Sequence, residues 1–347
     1  MERRQFIKGA AVTVGTLASG LESAVGMAED SLSEQTASEK PLANGDRRVR
    51  AVSIGFGHRL PLTRITELVD REGAKGADII ALPEFCQGHT GATQETLNGP
   101  TISAMAQLAR KHRTYIVCPI DRKDGDLRFN SAVLLDRRGQ VAGVYDKMYP
   151  VYEDECQWKP PIHPGEAVRV FSTDFGRLGI AICFDVNWSP VWRQMSNLGA
   201  ELVIFPSEMS AGRCLQARAI EYNYYIMSAT TIPDCYVYDM DGDLLIHDHE
   251  NAGKSLNITR ITLDLDRCIF YTDRLNEAKL KVLLQEHPDD VEVDKDLDAE
   301  TAWVVLKAKR PGVSARALAR QYGLEELRHY INRSRCEIDR CRGWEFS

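Results

Sequence analysis

The sequence has few of the features that mark metal-binding, nucleic-acid-binding or membrane proteins. It contains no Cys-x-x-Cys pair and its 8 His residues are scattered, so it predicts no structural zinc site. The formal net charge of −7 gives no electrostatic reason to expect nucleic acid or an anionic membrane surface as the main partner. No stretch is long and apolar enough to cross a membrane, and we find no internal repeat. What remains is a 347-residue chain of ordinary globular composition, 44% hydrophobic and 27% charged.

The first residues have the pattern of an export signal. A basic start is followed by the weakly apolar, charge-free stretch 9–21, and small residues up to Ala28 offer a cleavage point. The pair Arg3-Arg4 resembles a bacterial twin-arginine signal, which is read by a receptor. We therefore expect residues 1–28 to be a signal peptide recognised by the twin-arginine export machinery, and the protein to be periplasmic or extracellular.

The expected location outside the cytoplasm affects the interpretation of the nine cysteines. An oxidising compartment would permit disulfides, and Cys336 and Cys341, in a polar tail, are the best candidates for a pair. Several others lie in apolar runs, such as Cys118, and are most simply core residues.

The rest of the chain divides into three parts. Residues 29–47 are rich in Ser, Glu, Ala and Lys without apolar periodicity, which predicts a flexible linker. In residues 48–275, strand-like runs alternate with helical ones and tight hairpins, which favours an α/β fold of mixed sheets with helices outside. Residues 276–347 are predicted to be a helical C-terminal extension, with an acidic loop at 288–298 and a basic helical stretch at 314–335.

Three short segments each place one reactive side chain at the end of a strand-like run, where α/β folds commonly place their chemistry. Taken alone, each residue also has a structural interpretation: a core thiol, a helix cap or a surface ion pair. Together, a carboxylate, an ammonium and a thiol are the groups needed to attack an unactivated carbonyl or nitrile carbon. The residues are Glu84 in Ala81-Leu-Pro-Glu-Phe85, Lys147 in Tyr145-Asp-Lys-Met-Tyr-Pro150 and Cys183 in Gly179-Ile-Ala-Ile-Cys-Phe-Asp185.

The order Glu, Lys, Cys in these contexts resembles the nitrilase, or carbon–nitrogen hydrolase, superfamily. His163-Pro-Gly165 and Leu198-Gly-Ala-Glu-Leu-Val-Ile-Phe-Pro206 support the resemblance, which covers residues 48 to about 270. It implies an α-β-β-α sandwich and a homodimer or higher homo-oligomer.

The chemistry of such a site follows from its side chains. Cys183 would be the nucleophile and Glu84 the base that takes its proton. Lys147 and the backbone N–H of Phe184 would hold the oxyanion, and a thioester on Cys183 would then be hydrolysed. No metal ion or organic cofactor is required.

Further residues have supporting roles with alternatives left open. The family often adds a second glutamate after the lysine; Glu155 is our choice, and Glu153 is a close competitor in a loop that could simply be solvated. Trp188 could line the substrate pocket or pack as an ordinary aromatic residue at a helix start. Glu221 is predicted to be a structural helix anchor.

The sequence thus predicts an exported thiol hydrolase of a non-peptide C–N bond. A small amide is the first expectation for the substrate, an N-carbamoyl amine the second and a nitrile the third. The alternative of a different class is a catalytically silent binding or assembly module that uses its basic C-terminal arm.

Overall fold

The computed structural model describes residues 47–58, 60–153, 155–232, 234–247 and 255–344. These residues belong to one compact unit. The predicted signal peptide, and all of the predicted linker except Arg47, lie outside the described residues. Within the described residues, no helix has the length and apolar character needed to span a bilayer.

The described residues form fifteen strands and eight α-helices. The strands are β1 Arg48–Phe56, β2 Ile79–Ala81, β3 Tyr115–Asp124, β4 Leu127–Leu135, β5 Val141–Asp146, β6 Val170–Ser172, β7 Arg177–Ile180, β8 Leu202–Ser207, β9 Tyr225–Thr230, β10 Tyr236–Tyr238, β11 Leu244–His247, β12 Leu256–Asp264, β13 Cys268–Tyr271, β14 Val291–Leu297 and β15 Trp303–Ala308. The helices are α1 Leu62–Ala74, α2 Pro100–His112, α3 Ser189–Asn197, α4 Gly212–Tyr222, α5 Arg274–Glu286, α6 Asp298–Thr301, α7 Ala315–Gln321 and α8 Leu327–Cys341.

Two six-stranded mixed sheets share one design. The first has the order β12-β1-β2-β3-β4-β5, and the second has the order β11-β10-β9-β8-β7-β6. In each sheet three neighbouring strands are parallel, β1 to β3 in one and β7 to β9 in the other, and antiparallel strands flank them. The parallel strands matter for function because their carboxyl ends meet at one edge of each sheet.

The order of sheets and helices in the sandwich follows from which of their faces are apolar. Ala51 and Val117 of the first sheet and Ile180 and Ile204 of the second belong to one buried cluster, so the two sheets pack face to face. Helices α1 and α2 cover the outer face of the first sheet, and α3 and α4 cover that of the second. In α1, for example, Ile65, Leu68 and Val69 are buried at the spacing of one helical face. The predicted α-β-β-α sandwich is confirmed.

The C-terminal extension, residues 276–347, is helical, as predicted, but it also contributes two strands to a third sheet. Residues 288–298 were expected to form a loop, and instead β14 pairs with β15, which pairs with β13 in the order β13-β15-β14. The expectation failed because the acidic residues hide an alternating pattern. Val291 faces the small core of this sheet, while Glu292 and Asp294 form ion pairs with Lys307 of the neighbouring strand.

The suggested disulfide is wrong. Cys336 and Cys341 are both free thiols on α8. Positions five apart on an α-helix point about 140° away from each other, so these two sulfurs cannot bond without unwinding the helix. Cys118 is buried, as expected of a core residue.

Candidate active site

The three predicted reactive residues lie just beyond strand ends. Glu84 follows β2 of the first sheet, Lys147 comes directly after β5, and Cys183 follows β7 of the second sheet. All three are nearly excluded from solvent, with exposed fractions of 1%, 2% and 8%. The Nζ atom of Lys147 lies 3.0 Å from Oε1 of Glu84.

A second carboxylate completes the charge arrangement. Lys147 also donates a hydrogen bond to Glu155 Oε2 at 2.6 Å, and the backbone N–H of Val151 donates to the same oxygen at 2.8 Å. Glu155 is buried, whereas Glu153 is exposed. Of the two glutamates that the sequence left open, the structure brings Glu155 to the lysine.

Asn130 is a member of this group that sequence reasoning missed. Its Nδ2 donates to Glu84 Oε1 at 2.7 Å and to Glu155 Oε1 at 2.9 Å, so it holds the two carboxylates on either side of the ammonium. The side chain is fully buried. Asn130 lies in β4 between Phe129 and Ser131, where no local motif sets it apart.

Burial and charge set the protonation states of this group. Burial raises the pKa of Glu84, and the nearby Glu155 and Glu208 carboxylates raise it further, although Lys147 opposes them. Burial alone would lower the pKa of Lys147, but the surrounding anions outweigh it and raise that pKa above its usual range. The lysine is therefore a permanent cation beside a carboxylate that can accept a proton.

Cys183 begins a 3-10 turn, Cys183–Asn187, in an unusual backbone conformation. Its φ of +45° is in the left-handed region that a non-glycine residue seldom adopts. Burial and the Glu84 charge raise the pKa of the thiol, while Lys147, the Ser207 hydroxyl and the Glu208 N–H oppose that rise. The resting sulfur is thus a protonated thiol that needs a base.

Asp185 fixes the shape of that turn. Its Oδ2 accepts hydrogen bonds from Ile182 N at 3.0 Å and from Tyr145 Oη at 2.8 Å, and its Oδ1 accepts from Tyr149 N at 2.8 Å. Complete burial raises its pKa to about 6, and the three donors oppose a larger rise. The indole of Trp192 donates to its backbone carbonyl at 2.9 Å. The turn that carries Cys183 is therefore held from both sheets.

The remaining predicted residues lie in or next to this turn, or on helix α4, which contacts it. Trp188 ends the turn, is 39% exposed and stacks on Tyr149 with ring centroids 4.3 Å apart. Phe184, the proposed oxyanion donor, is adjacent to Cys183 in the turn, with its ring 6.3 Å from that of Trp188. Glu221 bonds Arg218 on its own helix at 2.6 Å, and Arg218 donates to a carbonyl in the turn, so Glu221 has the contacts of an anchor.

A third glutamate and two histidines adjoin the group and were also missed. The N–H of Glu208 donates to Glu84 Oε2 at 2.9 Å. Its Oε1 lies 3.0 Å from Nε2 of His58 and 3.6 Å from Nε2 of His89. These residues come from three separate loops, so no local motif connects them in the sequence.

Comparison of the sequence with known proteins identifies its family. The carbon-nitrogen hydrolase family matches residues 61–271. A nitrilase from Pyrococcus abyssi is 29% identical over 183 residues, which span 49% of this chain and 68% of that protein. An N-carbamoylputrescine amidase from Arabidopsis thaliana is 30% identical over 155 residues, 42% of this chain and 52% of that protein.

A solved structure shows the same fold. An amidase from Nesterenkonia sp. aligns with a TM-score of 0.55 at 20% identity, covering 70% of this chain and 100% of that one. The family match takes in most of both six-stranded sheets and all three predicted reactive residues. The chain therefore belongs to the carbon–nitrogen hydrolase family, within the nitrilase superfamily.

Proposed function

We propose that the protein hydrolyses a small amide through a thioester on Cys183. The observation that carries the proposal is the buried ion pair of Lys147 and Glu84, which lies beside the thiol and influences its pKa. A buried pair of this kind is costly to maintain for stability alone. It is well suited to moving one proton and stabilising one negative charge.

In the first step Glu84 takes the thiol proton as the sulfur attacks the carbonyl carbon. The new S–C bond places a negative charge on the carbonyl oxygen. Lys147 and the backbone N–H of Phe184 donate hydrogen bonds to that oxygen in the proposal. Concerted removal of the proton is needed because burial raises the pKa of the Cys183 thiol.

In the second step the C–N bond breaks and Glu84 gives its proton to the leaving nitrogen. Ammonia or an amine departs, and the acyl group remains on sulfur as a thioester. Glu84, again a carboxylate, then takes a proton from water as that water attacks the thioester carbon. Collapse of this intermediate releases the acid and returns the proton to the sulfur of Cys183.

Glu155 acts through the lysine in this proposal. Its carboxylate and that of Glu84 hold the ammonium between them at 2.6 and 3.0 Å. Asn130 bridges the same two carboxylates. The cation is therefore fixed before substrate arrives, so little reorganisation is needed as the oxyanion forms. Trp188, partly exposed at the end of the turn, is proposed to line the substrate pocket.

The related proteins favour an amide substrate. An omega-amidase from Xenopus laevis is 25% identical over 191 residues, 50% of this chain and 69% of that protein. A variant of a Nesterenkonia amidase is described with butyramide, and another with the acetamide moiety of fluoroacetamide added to its active-site cysteine. An N-carbamoyl amine is the second candidate, supported by the Arabidopsis relative, and a nitrile is the third.

Ammonia release across small amides, N-carbamoyl amines and nitriles tests the proposal. We expect release from one class by the wild-type protein, and none from Cys183→Ala, because alanine cannot form a thioester. Cys214→Ala is the matched control, since Cys214 is an exposed thiol on α4. Substantial turnover by folded Cys183→Ala would exclude Cys183 as the nucleophile. If the wild-type protein released no ammonia from any compound tested, a non-catalytic role would be favoured.

The arrangement of the C-terminal helix argues against the alternative of a basic binding arm. Many of its arginines already have acidic partners: Arg333 pairs with Glu325 at 2.6 Å and Arg340 with Glu337 at 2.6 Å. Such pairs reduce the free positive charge available to an acidic partner.

We also propose export and self-association on the grounds given by the sequence. Export predicts that the native protein lacks residues 1–28 and is found outside the cytoplasm, which N-terminal sequencing of fractionated cells would check. A cytoplasmic protein that retains its first residues would contradict it. A homodimer or higher homo-oligomer is expected, with sedimentation of the purified chain as its measurement.

A further inference from the structure

Two imidazoles and a carboxylate meet beside the candidate active site. His58 follows β1, His89 lies in the loop after β2 and Glu208 follows β8, so three separate loops contribute. Their side chains are 26%, 35% and 39% exposed. The neighbouring Glu84 side chain is only 2% exposed. The three side chains are therefore less buried than the neighbouring Glu84 carboxylate.

The spacing of the three side chains matches that of ligands around one metal ion. Glu208 Oε1 is 3.0 Å from His58 Nε2 and 3.6 Å from His89 Nε2, and one ligand atom from each residue lies within 4.8 Å of the others. Tetrahedral coordination with bonds of about 2.0–2.1 Å places ligand atoms about 3.3 Å apart. Small side-chain movements would bring all three to one ion.

The carboxylate oxygen at the centre of the cluster is incompletely satisfied. In the described part of the chain, Glu208 Oε1 is shielded from solvent and has no hydrogen bond of good geometry. The imidazole of His58 lies at ion-pair distance from this oxygen, but its Nε2 also lies 3.3 Å from the carbonyl oxygen of Glu84. A buried oxygen without a well-formed partner is costly, and a cation between the three side chains would remove that cost.

The surroundings hold these side chains in place. His89 stacks on Trp158 with ring centroids 4.6 Å apart, and Arg128 donates to the His89 carbonyl at 2.8 Å. The Glu208 backbone is fixed by its hydrogen bond to Glu84. Metal sites need such supporting contacts, because the ligands must be oriented before the ion binds.

We propose that His58, His89 and Glu208 bind one divalent transition-metal ion of the zinc type. Imidazole nitrogen and carboxylate oxygen are ligands that suit Zn²⁺ and Co²⁺, and the fourth position would be open to water or to a donor atom of a substrate. The ion goes beyond the proposed thiol chemistry and takes no part in its steps. Its role is to fix the loop after β8, whose Glu208 N–H contacts the Glu84 carboxylate.

Binding of Zn²⁺ and Co²⁺ to the purified full-length chain tests this site. Calorimetry should show one Zn²⁺ per chain, and Co²⁺ should give the intense visible absorption of tetrahedral coordination. The variants His89→Gln and Glu208→Gln should each weaken binding at least about tenfold, because each removes one ligand. Two variants are used so that misfolding of one, seen by circular dichroism, leaves the other decisive.

Two controls separate this site from other thiols and histidines. Cys183→Ser should keep the affinity, since the thiol is not a proposed ligand. His287→Gln should also keep it, because His287 pairs with Asp290 at 3.0 Å in the C-terminal part of the chain and is not in the cluster. Absence of binding, unchanged affinity in both cluster variants, or loss of binding in Cys183→Ser would overturn the proposal. None of these outcomes depends on catalytic turnover, so they are independent of the proposed hydrolysis.

Discussion

At the scale of single residues, the site is a balance between one cation and several carboxylates. Lys147 contacts Glu84 and Glu155 directly, and Glu208 raises the pKa of Glu84 from the other side. The balance leaves the lysine charged and the Glu84 carboxylate more basic than usual. A carboxylate of raised pKa is a better proton acceptor near neutral pH, which is the property that the proposed mechanism needs.

Glu84→Gln should reduce the rate of amide hydrolysis by at least about 10²-fold, because an amide cannot accept the thiol proton. The glutamine has nearly the same shape and keeps one acceptor oxygen, which can serve either the Glu208 N–H or the Lys147 and Asn130 donors. Steady-state kinetics on the preferred amide would measure the effect, with circular dichroism to confirm folding. Near-normal rates would show that a different group acts as the base.

Glu155→Gln should slow turnover by about tenfold or more, since the lysine loses one of the two carboxylates that fix it. The pH profile adds a sharper expectation. Glu155 raises the pKa of Glu84, so its removal lowers that pKa and shifts the acid limb of kcat/KM to lower pH.

Glu153→Gln is the matched control for that variant, because Glu153 is exposed and lies two residues away in the same loop. It should leave both the rate and the pH profile unchanged. A shift of the acid limb in Glu153→Gln, or none in Glu155→Gln, would reverse the assignment of the second glutamate.

The sequence alone predicted the site residues that lie within local motifs. Glu84, Lys147 and Cys183 were visible because each ends an apolar strand-like run in a recognisable context. Asn130 and His58 were not, because their neighbours become known only when loops and strands distant in the chain are brought together. An amide on one strand and an imidazole on one loop carry no signal of a shared site.

At the scale of elements, the turn after β7 is the most demanding local structure. Asp185 accepts three hydrogen bonds and is the internal support of a turn whose first residue has positive φ. That geometry presents the thiol beyond the strand instead of burying it within the sheet. The arrangement explains why an aspartate follows the nucleophile two residues later.

Asp185→Asn should destabilise the fold by about 1–3 kcal/mol and reduce activity more than stability alone explains. In either amide orientation, the NH₂ group would face a backbone N–H, of Ile182 or of Tyr149, and one donor would lose its acceptor. Urea unfolding would measure the first effect and kinetics the second. Wild-type stability and rate together would show that the carboxylate does not hold the turn.

Elements with clear periodicity were predicted well, and the acidic segment was not. The helix α1 and the strands of the two large sheets bury regular apolar faces. The strand β14 alternates apolar and acidic residues, and its Asp294 pairs both with Lys307 on β15 and with Arg267 just before β13. A sequence shows the repulsion among these acids but not the distant cations that cancel it.

At the scale of the whole molecule, the C-terminal extension is part of the same compact unit as the sandwich. Arg316 of α7 bonds Glu201 at 2.7 Å, and Arg47 bonds the same carboxylate at 2.6 Å. Burial opposes the charge on Glu201, but Arg316 and Arg47 outweigh it and lower its pKa. Stability from this group is therefore present at neutral pH and is lost as the pH falls below the ordinary carboxylate range.

Arg316→Met should lower the free energy of unfolding by roughly 3 kcal/mol, because it leaves buried Glu201 and Glu326 with fewer cations. Arg340→Met is the control; Arg340 and its partner Glu337 are both exposed, and the expected change is at most about 1 kcal/mol. If urea unfolding gave the same loss of free energy for both variants, the buried ion pairs of Arg316 would not stabilise the packing of the C-terminal extension against the sandwich.

Removal of residues 276–347 would take away β14 and β15 and uncover β13, whose Phe270 is only 1% exposed. We expect that truncation to damage the fold, so it cannot separate a binding arm from a catalytic core. Substitution of exposed residues on α8 is the cleaner way to examine that surface.

The central claim is that hydrolysis passes through an acyl group on Cys183, and competition between water and hydroxylamine tests it directly. A thioester reacts with both, so the account predicts that added hydroxylamine diverts the wild-type product from acid to hydroxamate, and that Cys183→Ala forms neither. Turnover that yields only acid at every hydroxylamine concentration, or hydroxamate from Cys183→Ala, would contradict it.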